Sequence, residues 1–130
     1  MRTRQLKGLK VKSHRSDGEL LASAITVIAK DWRLTDELLG SALNIEPNVA
    51  CQIRSGRAHF APKSEALASA QLLLRLFQSL EGLFSGDSAA ARSWLVARNV
   101  DLGTRPVDRM EGHAGLSIVC DHLDGSIART

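Results

Sequence analysis

Residues 63–84, which read KSEALASAQLLLRLFQSLEGLF, constrain the fold more than any other stretch of the chain. Ala66, Ala70, Leu73, Phe77, Leu80 and Phe84 recur at alternating steps of four and three, the spacing of one helical face, and Leu67, Leu72, Leu74, Leu76 and Leu83 carry the apolar surface well beyond that face. A helix that is apolar on several sides must be covered on several sides. Ser64 stands near its start, and Gly82 and Gly86 loosen its end. The stretch therefore predicts a hydrophobic spine, packed by the segments before and after it, with either a second copy of the chain or the chain itself covering the remaining surface.

On the N-terminal side, Ser16 and Glu19 have capping-box spacing, and Leu20, Leu21, Ala24, Ile25 and Ile28 follow on one helical face. Trp32, just beyond, is expected to plug the core. Thr35 can cap a helix that turns Leu38, Leu39, Ala42 and Leu43 inward. Asn44 breaks it, Pro47 opens another with Ala50 and Ile53 inward, and Gly56 closes that one. Two short helices joined by a tight turn make a helix-turn-helix. From Leu34 and Thr35 to Gly56 the order resembles the Xre-type helix-turn-helix, with Gly40 at the close approach of its two helices. The resemblance makes 47–54 the recognition helix, with Asn48, Val49, Gln52 and Arg54 directed outward and Arg57 nearby. Asn and Gln can pair with adenine and Arg with guanine, so base-reading chemistry is present but sparse.

Beyond the spine, residues 87–106 read DSAAARSWLVARNVDLGTRP. Asp87 or Ser88 can cap a short helix with Ala91, Trp94 and Leu95 on its apolar edge, ending near Asn99 in a left-handed residue; Gly103 permits a second tight turn and Pro106 starts the next helical turn. Leu116, Val119, Cys120 and Leu123 then form an i, i+3, i+4, i+7 stripe on a helix over 112–124 that Gly125 is expected to stop, leaving 126–130 as a tail. His113 and His122, at the flanks of that helix, are expected to be solvated or capping. The order Ala91, Trp94, Leu95; Asn99, Leu102, Gly103; Pro106; Gly112 or Gly115 resembles the C-terminal toxin-binding domain of the Xre/MbcA/ParS antitoxins, partners of RES-type toxins. Thr104 stands where those relatives often carry a second glycine.

The resemblance implies an all-α protein with a basic arm at 1–15, a helix-turn-helix region at 16–62, a connecting or dimerising helix at 63–86 and a toxin-binding domain at 87–130. It also implies an antitoxin that covers the active site of an NAD-consuming RES toxin and represses its own operon, as a homodimer and in a hetero-oligomer with the toxin. A cleft that holds NAD must recognise phosphates and should be basic. Asp121, Asp124 and the chain end from Ser126 to Thr130 would complement it, while Arg105, Arg109 and Arg129 could meet acidic toxin groups instead. A dimeric repressor without a toxin is the alternative.

Charge adds one further contact. Net charge is +3, but residues 1–15 hold six of the 17 basic residues and no acid, so the body of the chain is net acidic. Arg2, Arg4 and Lys7 in this arm either contact DNA phosphates or only keep the chain soluble. Cys51 and Cys120 form neither a CxxC pair nor a zinc-finger pattern and are expected to be buried or inert thiols. No catalytic dyad, phosphate loop, metal set or cofactor motif is visible, which points to binding and not catalysis. The chain also lacks an apolar run of membrane-spanning length or a signal region, so a cytoplasmic protein is expected.

Overall fold

The structure, a computed structural model, describes residues 16–128. Among them the protein is all-helical. The helices are α1 (Asp17–Trp32), α2 (Asp36–Leu43), α3 (Pro47–Arg54), α4 (Glu65–Leu83), α5 (Ser88–Val96), α6 (Pro106–Arg109) and α7 (Gly112–Ala128).

Local chemistry sets most of the boundaries. The Ser16 hydroxyl accepts from the Glu19 N–H and the Glu19 carboxylate accepts from the Ser16 N–H, a complete capping box at the start of α1. Thr35, Ser64 and Asp87 accept from the N–H three residues on, and so cap α2, α4 and α5. Arg33 and Asn44 end α1 and α2 in the left-handed conformation. Lys63 also has a positive φ, and the spine begins at Glu65, two residues after the first residue of the stretch expected to form it. At Gly40 an added Cβ would lie 2.7 Å from the Ile45 carbonyl oxygen, which is the tight α2–α3 approach that the sequence anticipates.

The spine α4 packs most extensively on α7, then on α1 and α2, and less on α5. Ala70, Leu73, Leu76 and Leu80 are buried, and Phe77 is half-buried, with its ring tilted against that of Trp32 at a centroid distance of 5.5 Å. In the other direction α5 leans on α1 and α7 on α2, so the N- and C-terminal halves share one core. Arg92 on α5 ties them further by donating to the Trp32 carbonyl at 3.2 Å.

Three sequence expectations are corrected. Leu20 is 50% exposed, because the buried stripe of α1 runs through Leu21, Ala22, Ile25, Ile28, Ala29 and Trp32 and leaves Leu20 and Val27 on its outer flank. Helix α5 ends at Val96, three residues before Asn99, and Asn99 is not left-handed. Helix α7 passes through Gly125 to Ala128, because a glycine ends a helix by taking a positive φ and Gly125 does not take one.

Candidate functional site

The connector between α5 and α6 is the most tightly determined loop in the C-terminal half. Asn99 and Thr104 pair as an isolated antiparallel bridge, with the Asn99 N–H donating to the Thr104 carbonyl at 3.0 Å. The Gly103 N–H returns to the carbonyls of Asn99 at 2.9 Å and Val100 at 3.2 Å. Gly103 needs its lack of a side chain, since its φ is 77°. The Asn99 side chain completes the turn. Its Oδ1 accepts from the Leu102 N–H at 3.1 Å, and its Nδ2 lies 3.3 Å from Nε2 of His122 on α7. With Oδ1 committed to an N–H, the amide donates to the imidazole, which fixes Nε2 as the acceptor. Thr104 has no positive φ, so its departure from the usual glycine leaves the turn unstrained.

Leu102 tucks half-buried against the core, whereas Val100 at the tip is 86% exposed. After the turn, Pro106 and Val107 are buried and Arg105 grips Asp108 through two hydrogen bonds, at 2.7 and 2.9 Å. The hydrogen bond from Arg105 holds the Asp108 carboxyl below its ordinary range, and the same bond raises the guanidinium above its own. Helix α7 then comes so close that a Cβ on Gly115 would lie 2.3 Å from the Arg109 carbonyl oxygen.

The residues expected to meet a partner are thus divided. Arg109 and Asp121 are exposed. Arg105 is engaged with Asp108, and Asp124 forms an ion pair with Arg75 of α4. Ser126 lies within the last turn of α7 instead of in a tail, and Arg129 and Thr130 lie outside the described residues.

The helix-turn-helix is divided in the same way. On α3, Asn48 and Gln52 are exposed, as is Arg57 just beyond it. Val49 is half-buried against the core and cannot face outward fully. Arg54, expected to point outward, donates to the Leu34 carbonyl at 2.7 Å and to Asp36 at 3.2 Å, pinning the end of α3 to the start of α2. Arg57 and His59 line an open cleft with Glu19, Ser23 and Thr26 of α1. Cys51 is exposed, so of the two thiols expected to be buried or inert only Cys120 is buried. Cys120 is buried, which raises its pKa and keeps it a neutral thiol. Arg2, Arg4 and Lys7 lie outside the described residues.

Two roles escaped the sequence. His122 clamps the connector, and Arg75 holds α7 to the spine; their partners lie 23 and 49 positions away, with no local pattern to reveal them. Among the described residues no group of His, Cys, Asp and Glu is arranged to hold a metal ion, and no helix is long and apolar enough to cross a membrane.

Residues 79–125 match the family model of the antitoxin Xre/MbcA/ParS C-terminal toxin-binding domain. The match begins in the last turns of α4 and takes in α5, the connector, α6 and most of α7. No curated protein matches the chain.

Proposed function

We propose, starting from a chain that is an antitoxin of the Xre/MbcA/ParS type through its toxin-binding domain, that its toxin is a RES-type enzyme that consumes NAD, neutralised by occlusion of its active site. The observation that carries this reading is the match over 79–125 to a toxin-binding domain, joined to a helix-turn-helix of the kind expected of Xre proteins. Occlusion requires binding and no chemistry from the antitoxin.

Arg105 and Asp124 spend their charges on Asp108 and Arg75, so the contacts we assign to the toxin centre on Arg109, Asp121 and the end of α7 with Ser126, Arg129 and Thr130. Through Asn48 and Gln52, with Arg57 and the basic arm of Arg2, Arg4 and Lys7 on the phosphates, the helix-turn-helix binds the operator and represses the shared operon. The repressing species is a homodimer. Its contact is the groove where the exposed Leu20 and half-buried Ala24 of α1 meet Gln71 and Leu74 of α4, an apolar seam that joins the spine to the first helix.

The test is an NAD-depletion assay with the purified RES protein from the adjacent reading frame. The full chain should stop NAD loss, removal of residues 126–130 should restore most of it, and Gln52→Ala should leave inhibition intact. Undiminished NAD loss with the full chain would falsify the RES assignment, and operator binding without toxin binding would favour a plain repressor.

A further inference from the structure

Five large apolar side chains stand exposed among the described residues: Leu20 at 50%, Val27 at 54%, Leu83 at 45%, Ile118 at 41% and Val100 at 86%. A single exposed apolar residue is ordinary on a protein surface. Val100 differs from the other four in both exposure and mounting. They lie on helix flanks, partly shielded by neighbouring turns, whereas Val100 projects from a turn with almost its whole surface in water.

That turn is also held still. The bridge from Asn99 to Thr104, the two bonds from the Gly103 N–H, the Asn99 side chain on Leu102 and the imidazole of His122 fix the backbone on both sides of position 100. Leu102, two residues on, anchors the other end of the turn in the core. Arg98 and Asp101 flank the tip, both exposed, and neither is in an ion pair with another of the described residues. A β-branched residue in such a setting loses little freedom on contact, since backbone and rotamer are already restricted. Apolar side chains of this kind, rimmed by charges of both signs, are the usual anchors of protein interfaces.

We infer that Val100 is an apolar anchor that the toxin receives in a pocket, with an acidic group of the toxin meeting Arg98 and a basic group meeting Asp101. The toxin is favoured as occupant because the tip lies in the middle of the segment that matches a toxin-binding domain. This inference rests on the proposed RES partner. It adds a second contact, on the connector, to the one proposed at the end of α7. The connector contact secures the antitoxin's position, and the chain end can then reach the active site.

The experiment measures affinity of the full-length chain for the same purified RES protein by titration calorimetry. Val100→Asp should weaken binding roughly 10- to 100-fold, the loss expected when a buried valine contact is replaced by a desolvated charge. Val100→Ala should weaken it less, and Asn99→Ala should fall between the two by loosening the mount while keeping the anchor. Val27→Asp, the same change at another exposed valine, outside the matched segment, should leave affinity unchanged, and circular dichroism should show all four variants folded. If the unaltered chain binds and Val100→Asp binds equally well, the anchor is overturned while the partner stands. If Val100→Asp instead changes the mass of the free antitoxin in light scattering and leaves toxin affinity alone, the tip is a contact between copies and the inference is again overturned. If the unaltered chain fails to bind, the RES reading falls and the anchor falls with it.

Discussion

The helix-turn-helix and the α5–α6 connector are built from the same materials, short helices joined by tight turns, yet they spend their polar groups in opposite ways. At the end of α3, Arg54 turns inward and uses its charge to hold Leu34 and Asp36, so a cation that could have met DNA becomes internal glue. At the connector, the amide of Asn99 and the ring of His122 are used to hold an apolar residue out into water. The first region trades recognition chemistry for stability, and the second trades polar groups for a fixed exposed surface. Residue type alone therefore does not reveal which groups face a partner, since what matters is where each hydrogen-bonding group finds its partner within the chain.

If the two regions differ only in how they use their surfaces, their shared core should respond as one. Leu76→Ala, at a fully buried point of α4, should cost about 2–5 kcal/mol and lower the melting temperature in a single transition that carries both halves. Two separate calorimetric transitions would break the comparison by showing that the halves fold independently.

A smaller effect distinguishes glue from reader on α3. Arg54→Ala should destabilise the chain by about 1–2 kcal/mol, because the Leu34 carbonyl loses its charged donor at a partly buried site. Gln52→Ala, fully on the surface, should change stability by less than about 0.5 kcal/mol while relaxing sequence preference in a binding assay. A loss of sequence preference with Arg54→Ala at unchanged stability would reverse the two roles.

The smallest effect belongs to the Arg105–Asp108 pair, which lies on the surface and is screened by water. Its carboxyl is held below the ordinary range, so whatever stability it supplies is fully present above the unfolded pKa and is lost as pH falls through the lower folded value. Asp108→Asn should therefore lower the melting temperature slightly at neutral pH, where the contribution is present, and converge with the unaltered chain in acid, where it is already lost. A clear fall in melting temperature at neutral pH would show that this pair, like Arg54, acts as glue.

What the sequence discloses follows the range of each interaction. Ser16 with Glu19, Thr35, Ser64, Asp87 and the initiating Pro47 and Pro106 announce their helices because a cap and its target are three residues apart. The order from Ala91 to Pro106 is likewise local, and it suffices to suggest the toxin-binding domain whose family model residues 79–125 match. The pairing of Arg75 with Asp124, the bond from Arg92 to Trp32 and the seat of His122 on Asn99 depend on how distant helices dock. Gly18 makes the same point from packing: a Cβ there would lie 1.9 Å from the carbonyl oxygen of Phe60, an approach that nothing near Gly18 in the chain foretells. Gly125 misled because glycine marks a stop only where the backbone turns left-handed, and there α7 continues instead.

The boundary of the matched segment falls inside α4, and that placement limits how the protein can be taken apart. Cutting at residue 79 would strip α7 of the turns carrying Leu73 and Leu76, of the Leu72 carbonyl that receives the Cys120 thiol and of Arg75, the counter-ion of Asp124. The stretch that is recognisable as a sequence unit is thus smaller than the stretch that can hold its own shape. An engineer who wished to transplant the matched segment onto another protein would have to carry the whole of α4 with it, and would need a substitute for α1, against which α5 with its buried Ala91 and Leu95 now packs.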